Sequence, residues 1–302
     1  MRAEEFRFTV VIPTYNRWHL LPRALRSVRE QKWPDVEVLV VDDCSTQPIP
    51  CTLPILFPEV RFFRQPANLG PGVARNRGLA EAERPWVVML DDDDWLLPGA
   101  FRRIAQSIAE RPFEDAHPVF QFSHEHGELD SDFRLVKLAD YVQGRLNGDF
   151  LPVFHRETSK RMSLCYPESR IGAEHLLWWR LSRETAIPTW RDHVAACGDT
   201  PRKQLTSWRN QVERAAEYAE MQECSLQEFG PFLRRNAPKL FEKKCAGAAT
   251  YWLLSGHSDR ARKHIRSLTR RKLLSSMIWA LSWMPVPLVR FSFGAYRTWG
   301  AM

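Results

Sequence analysis

An α/β fold with a mostly parallel, doubly wound sheet is what this sequence predicts, on three observations. Short β-branched runs alternate with stretches of helical periodicity through the first third of the chain. The runs are apolar throughout rather than at alternate positions, which marks strands buried on both faces. Two of them end directly on acidic residues, where open α/β sheets place their ligand crevice.

Phe8–Ile12, ended by Pro13, reads as a buried parallel strand. Trp18 to Gln31 follows with Leu20, Leu21, Ala24, Leu25 and Val28 at helical spacing and Pro22 in the first turn. Val36–Val41 is the second strand and runs into Asp42-Asp43, closing a right-handed βαβ unit. Val60–Phe63 is a short third strand, and Gly70–Glu83 a helix opened by glycine. Trp86–Leu90 is the fourth strand, followed by Asp91-Asp92-Asp93-Asp94 and a helix over Pro98–Glu110. Residues 111–200 are less regular, with a strand expected at Val119–Ser123 and a helix at Ala173–Arg183 packed through Leu176, Leu177 and Leu181. From about Gln204 the chain reads as helices, with a hairpin over Phe241–Arg271 turned at Gly256-His257-Ser258. The expected division is therefore an α/β domain over 1–200, in halves 1–110 and 111–200, and a helical region over 201–302.

Composition bounds the function. With 302 residues, 44% hydrophobic and 26% charged, the chain is globular rather than disordered. Its formal charge of +7 admits nucleic acid, anionic lipid or phosphorylated small molecules as partners. The distribution favours lipid over nucleic acid. Arg260, Arg262, Lys263, Arg266, Arg270, Arg271 and Lys272 precede an apolar, Trp-rich stretch, Leu273–Val289, broken by Pro285 and Pro287. That stretch is too short and interrupted to span a bilayer but suits an interfacial segment. The alternative is a helix packed on the body with a solvated basic face. Six scattered cysteines contain no CxxC pair, which speaks against zinc. The apolar run at Phe8 is too short for a signal peptide. A cytoplasmic protein, peripheral on the inner face of the cytoplasmic membrane, is expected.

Four sites carry chemistry. Adjacent carboxylates such as Asp91–Asp94 at a strand's end repel one another, and a divalent cation relieves this, Mg²⁺ or Mn²⁺ being suited to oxygen ligands and diphosphate. A solvated acidic turn is the competing reading. Asp42-Asp43 can accept from a nucleobase or ribose, or cap a turn with Ser45. In Pro13-Thr14-Tyr15-Asn16-Arg17, Tyr15 can stack on a base and Thr14 hydrogen-bond it, while Asn16 can cap a helix. The Asn68-Leu69-Gly70-Pro71-Gly72-Val73-Ala74-Arg75-Asn76 segment lets backbone approach phosphate, with Arg75 adding charge. It is not a Walker A loop.

The segments VVIPTYNR, VLVVDDCST, NLGPGVARNRGL and VVMLDDDDWLLP, in this order, closely resemble the bacterial family 2 glycosyltransferases of the GT-A fold. The resemblance covers residues 7–110 and implies an inverting, metal-dependent hexosyltransferase acting in cell-envelope or polysaccharide biosynthesis. It makes 1–110 the nucleotide-binding half and 111–200 the acceptor half. Thr14, Tyr15 and Asp43 would bind the nucleoside. Asp91, Asp92 and Asp93 would hold metal and diphosphate, with Asp93 and Asp91 coordinating Mn²⁺ or Mg²⁺. Pro13, Arg17, Asp42, Asn68, Gly70 and Arg75 complete the nucleotide-sugar site.

The family's later carboxylate segment is similar to Gly172–Arg180, making Glu174 the general base, although Ala173 stands where the family usually has Glu and Glu174 where it has Asp. His155 and Arg156 fall where an acceptor- or phosphate-facing Arg is common. A metal-binding His of some members has no counterpart in Thr200–Gln204. The implied partners are a nucleotide-sugar donor, UDP-linked by preference, and a glycan or lipid-linked acceptor. A nucleotidyltransferase would carry a Gly-rich loop where PTYNR stands. A silent GT-A-like binding protein draws on the Ala173/Glu174 departure alone.

Overall fold

The structure, a computed structural model, describes residues 2–111, 117–198, 208–268 and 272–299. It divides into two compact units, Met1–Thr200 and Pro201–Met302. In the first unit the order is β1 (Phe8–Thr14), α1 (Leu21–Arg29), β2 (Val36–Asp42), α2 (Thr52–Leu56), β3 (Val60–Arg64), α3 (Pro71–Glu81) and β4 (Trp86–Met89). There follow β5 (Asp94–Leu96), α4 (Ala100–Ala109), β6 (Val119–His124), β7 (Phe133–Val136), α5 (Leu138–Val142), β8 (Phe150–His155), α6 (Arg156–Arg161), α7 (Glu174–Glu184) and β9 (Ile187–Cys197).

The sheet runs β3-β2-β1-β4-β8-β6-β9-β5, with β7 also on β9. β3, β2, β1 and β4 are mutually parallel, as expected. Beyond β4 the pairing turns antiparallel through β8 and β6, and only β6–β9 is parallel again, so the whole sheet is mixed. Strand alternation divides the core into two layers. Val10, Ile12, Val38, Val40 and Val88 face one layer, with Leu21, Leu25 and Val28 of α1 and Phe101 and Ile104 of α4. Val11, Leu39, Val41, Val87 and Met89 face the other, with Ala74 of α3 and Leu177 and Leu181 of α7. This is why these strands are apolar throughout.

Pro13 does not end β1, which continues to Thr14 and pairs Pro13 with Val41. The β4 pairing stops at Val11, so on that side no ladder hydrogen bond is lost to the missing N–H. The strands β7, β8 and β9 lie in the region read as irregular, and β5 lies at the end of the acidic run, before the Pro98 helix, where no strand was expected. β9 pairs with β5, β6 and β7, with a register shift at Phe122/His124.

The second unit is helical: α8 (Trp208–Glu213), α9 (Ala215–Asn236), α10 (Pro238–Leu254), α11 (Ser258–Ile265), α12 (Lys272–Leu281) and α13 (Val286–Trp299). The α10–α11 turn falls at Gly256 (φ 88°), where the hairpin was expected. Glu223 ties α9, α10 and α11 together, accepting from Trp252 Nε1 at 2.8 Å and Arg260 Nη2 at 2.5 Å and meeting His264 Nε2 at 2.8 Å. Among the described residues no helix is long and apolar enough to cross a membrane. Arg270 and Arg271 of the basic stretch lie outside the described residues.

Candidate functional site

The parallel quartet sends the ends of β1, β2 and β4 to one edge of the sheet, and the turns there are knitted by side chains. Asn16 (φ 57°) and Cys44 (φ 63°) both adopt the left-handed region in these turns. Asn16 Oδ1 accepts from the Thr46 N–H at 2.7 Å and its hydroxyl at 2.9 Å. Asp42 and Asp43 divide their labour. Buried Asp42 accepts from the Ser45 N–H at 2.9 Å and hydroxyl at 2.5 Å and from Arg64 Nη1 at 2.9 Å, so it caps the turn. Asp43 faces the other way and accepts from the N–H groups of Leu69 at 2.9 Å and Gly70 at 2.7 Å. Burial lifts its carboxyl above the ordinary value despite those two donors. Tyr15 stands exposed beside this turn.

The acidic run alternates. The Asp91 and Asp93 side chains are 48% and 22% exposed, whereas Asp92 and Asp94 keep 4% and 11%. Asp92 accepts from the Thr14 hydroxyl at 2.8 Å and pairs with Arg17 at 3.1 Å. Thr14 is thus committed to the acidic loop rather than turned toward a base. Arg17 also binds the Asp93 carboxylate, and Arg23 donates to the Asp93 carbonyl. Burial lifts the Asp92 carboxyl to about 7 against the pull of Arg17. Burial, then the charges of Asp91 and Asp93, lift Asp94 to about 9. Desolvation also pushes Asp91 up, but the neighbouring Arg75 guanidinium outweighs it and holds the carboxyl below its usual range.

Asp91 and Asp93, the less buried pair, offer the hard oxygen donors that a divalent cation takes, each already engaged by a guanidinium, Arg75 and Arg17. Among the described residues no three ligand side chains form a closed metal cluster.

Glu174 opens α7, and the approach to it is shaped by backbone. Gly172 (φ 96°) and Ala173 (φ 85°) are both left-handed, a conformation costing roughly 1 kcal/mol at alanine. The segment 164–173 packs on the start of α3. Asn76 exchanges hydrogen bonds with the Tyr166 backbone at 2.9 and 2.7 Å. A Cβ at Gly70 would run into the Ser169 carbonyl, and one at Gly72 into that of Pro167. The glycines therefore admit this segment, rather than leaving the helix start bare for phosphate. Asn68 accepts from Arg170 at 3.4 Å in the same contact.

Arg75 lies at the centre. Its Nη1 donates to Glu174 Oε1 at 2.6 Å and its Nη2 to Asp91 Oδ1 at 2.7 Å, so one guanidinium joins the acidic run to α7. It sits 5.3 Å from the Tyr166 ring, whose buried hydroxyl has no hydrogen-bond partner among the described residues. Tyr166 was not singled out in the sequence, and Asn76 stood there only as the last residue of the Asn68–Asn76 segment. The signal available was Asn76, directly after Arg75.

His155 and Arg156 lie elsewhere. His155 pairs with Trp86 at the start of β4, and the Arg156 N–H reaches the Pro85 carbonyl. The strand then runs five residues before Asp91, roughly 16 Å at the usual rise. His155 meets the Thr158 hydroxyl at 2.8 Å and stacks on Trp86, and Arg156 pairs with Glu157. The expected acceptor-side role is corrected, because β8 is antiparallel to β4 and ends at the opposite edge of the sheet.

The fold and this edge define a GT-A architecture. Residues 9–154 match the glycosyl transferase family 2 model. Over 60% of the chain it is 28% identical to a GalNAc(5)-diNAcBac-PP-undecaprenol beta-1,3-glucosyltransferase of Campylobacter jejuni, spanning 61% of that protein's length. Its fold is similar to that of Staphylococcus aureus TarS 1–349 in complex with UDP-GlcNAc (TM-score 0.59, 19% identity, 97% of this chain and 92% of that one). It is also similar to the mannosyltransferase PcManGT of Pyrobaculum calidifontis in complex with GDP-Man and Mn²⁺ (TM-score 0.51, 16% identity, 100% and 90%). The parallel quartet and the helical C-terminal part are those of a GT-A fold.

Proposed function

We propose that this chain is an inverting glycosyltransferase that moves a sugar from a nucleoside diphosphate donor, UDP-linked by preference, to a hydroxyl of a glycan or lipid-linked acceptor in envelope or polysaccharide biosynthesis. The observation that carries this reading is the Asp91–Arg75–Glu174 bridge, which holds a donor-side carboxylate and a candidate base one guanidinium apart. The undecaprenol-linked name of the Campylobacter relative and the UDP-GlcNAc complex of TarS support the acceptor and donor classes.

In this reading Tyr15 stacks on the base, and the Asp43 carboxylate shapes the pocket floor by holding Leu69 and Gly70. Asp91 and Asp93 would hold a Mn²⁺ or Mg²⁺ ion, which would supply Lewis-acid stabilisation of the leaving diphosphate. Arg17 and Arg75 flank it with positive charge. Glu174 accepts the proton of the acceptor hydroxyl as that oxygen bonds to the anomeric carbon. The bond from that carbon to the diphosphate oxygen breaks on the opposite side, releasing the nucleoside diphosphate with inversion. The second unit seats the enzyme on an anionic membrane surface.

Glu174→Gln tests the base. Turnover should fall by about 10²–10⁴-fold, the usual span for a general base, with UDP affinity retained. Full turnover in that variant would remove Glu174 from the mechanism.

A further inference from the structure

Beside the acidic run lies a groove of about 520 Å³, within the ordinary range of ligand sites, that none of the roles above uses. One wall is a single face of α1 and the turn after it. Arg23, Arg26, Ser27, Glu30 and Gln31 recur there at spacings of three, four and seven residues, while Leu21, Ala24, Leu25 and Val28 point into the core. From Arg23 to Gln31 the wall is about 12 Å long at the helical rise. The other wall is Trp95, Leu96 and Pro98, which follow the four aspartates directly.

The groove is joined to the candidate site at Arg23. Its guanidinium donates to the Asp93 carbonyl and lies 4.0 Å over the Trp95 ring. The same carbonyl accepts the Gly198 N–H at 3.1 Å, so α1, the acidic loop and the end of β9 meet there. Neither Arg23 nor Arg26 pairs with a carboxylate among the described residues, although most arginines near this edge do. Both are exposed. Two exposed guanidiniums a helical turn apart, Arg26 and the part of Arg23 that its Asp93 and Trp95 contacts leave open, suit an anionic ester attached to a sugar ring. Guanidinium forks bind phosphate in two-point fashion, and aromatic faces pack on sugar.

We propose that this groove is an acceptor subsite that binds a phosphate ester of a saccharide, with Arg23 and Arg26 on the phosphate and Trp95 beside the sugar. The subsite rests on the transferase reading above and adds to it the acceptor's charge. It runs from Asp93 along α1, so the phosphate serves to anchor the acceptor, not to react.

The test uses the full chain saturated with UDP and Mn²⁺, so that the donor site is filled, and titrates glucose 1-phosphate and neutral glucose by calorimetry. The proposal expects the phosphate ester to bind at least tenfold more tightly than glucose, and Arg26→Glu to abolish that preference. Two further ligands separate the sources of such an ester: a disaccharide on a short isoprenyl diphosphate, and the same disaccharide in a phosphodiester-linked chain. Binding of either through Arg26 supports the subsite and names its source. Equal binding of ester and glucose, or an ester preference untouched by Arg26→Glu, overturns it. UDP affinity on the same samples keeps the two claims apart. If UDP fails to bind, the transferase reading falls, while dependence of glucose 1-phosphate binding on Arg26 still decides the groove.

Discussion

At the scale of single residues, the acidic run works by unequal exposure. Asp91 and Asp93 face outward, while Asp92 and Asp94 are buried with carboxyls pushed up to about 7 and about 9. A carboxyl raised above its unfolded value binds a proton more tightly in the folded state. Its favourable contribution is complete below the unfolded value of 3.8 and is lost as pH climbs toward the folded one. Asp94→Asn removes that loss. In chelator-treated protein the variant should match the wild type below about pH 4 and melt at progressively higher temperature than it as pH rises from there to about 9. A constant difference across that range would show that Asp94 is not buried as an acid. Four consecutive aspartates are legible in a sequence, but their division into an open and a buried pair is not. It depends on Thr14 and Arg17, which come from 78 and 76 residues away.

At the scale of elements, the decisive contact is the segment 164–173 lying on the start of α3. It brings Glu174 to Arg75 across 99 residues of chain. Gly72 makes room for it, because a side chain there would meet the Pro167 carbonyl. Gly72→Ala should therefore displace Glu174 and lower turnover much more than UDP affinity. An equal loss in both would place Gly72 at the donor phosphate instead. The strands β1, β2 and β4 were readable because burial on both faces makes them largely apolar, and the ends of β2 and β4 carry acids. The strands β5, β7, β8 and β9 were not, for a physical reason. β7 and β9 carry polar and charged residues (Arg134, Arg191, Asp192 and His193), and β5 begins inside the acidic run. The same antiparallel return of β8 that sequence patterning missed is what carries His155 and Arg156 to the wrong end of the sheet for an acceptor role.

At the scale of the whole molecule, the two units carry different surfaces. Around the sheet edge the charges are paired and directional. In the second unit, Trp283 and Phe291 are 68% and 75% exposed, and Met277, Trp279, Met284 and Leu288 are also open. Arg262 lies 3.9 Å over the Trp283 ring, mixing cation and indole as membrane interfaces do. Such a surface should bind vesicles containing anionic lipid, in a salt-sensitive manner, and bind neutral vesicles weakly. Trp283→Ser with Phe291→Ser should release the protein from anionic vesicles while leaving UDP affinity in place. Retention of the double variant on the vesicles would assign the apolar residues to packing. The apolar, basic character of this region was legible in composition, whereas the particular outward-facing residues depend on how α12 and α13 are turned.

The central claim is that the edge formed by β1, β2 and β4 binds a nucleotide-sugar through the open aspartates. It is tested most directly by titrating UDP-GlcNAc into the wild-type chain and into Asp93→Asn, each with and without Mn²⁺, and reading affinity and UDP release. The account predicts binding and slow release that require Mn²⁺ in the wild type, and loss of the Mn²⁺ effect in Asp93→Asn. Metal-independent release of equal rate in both proteins would contradict it.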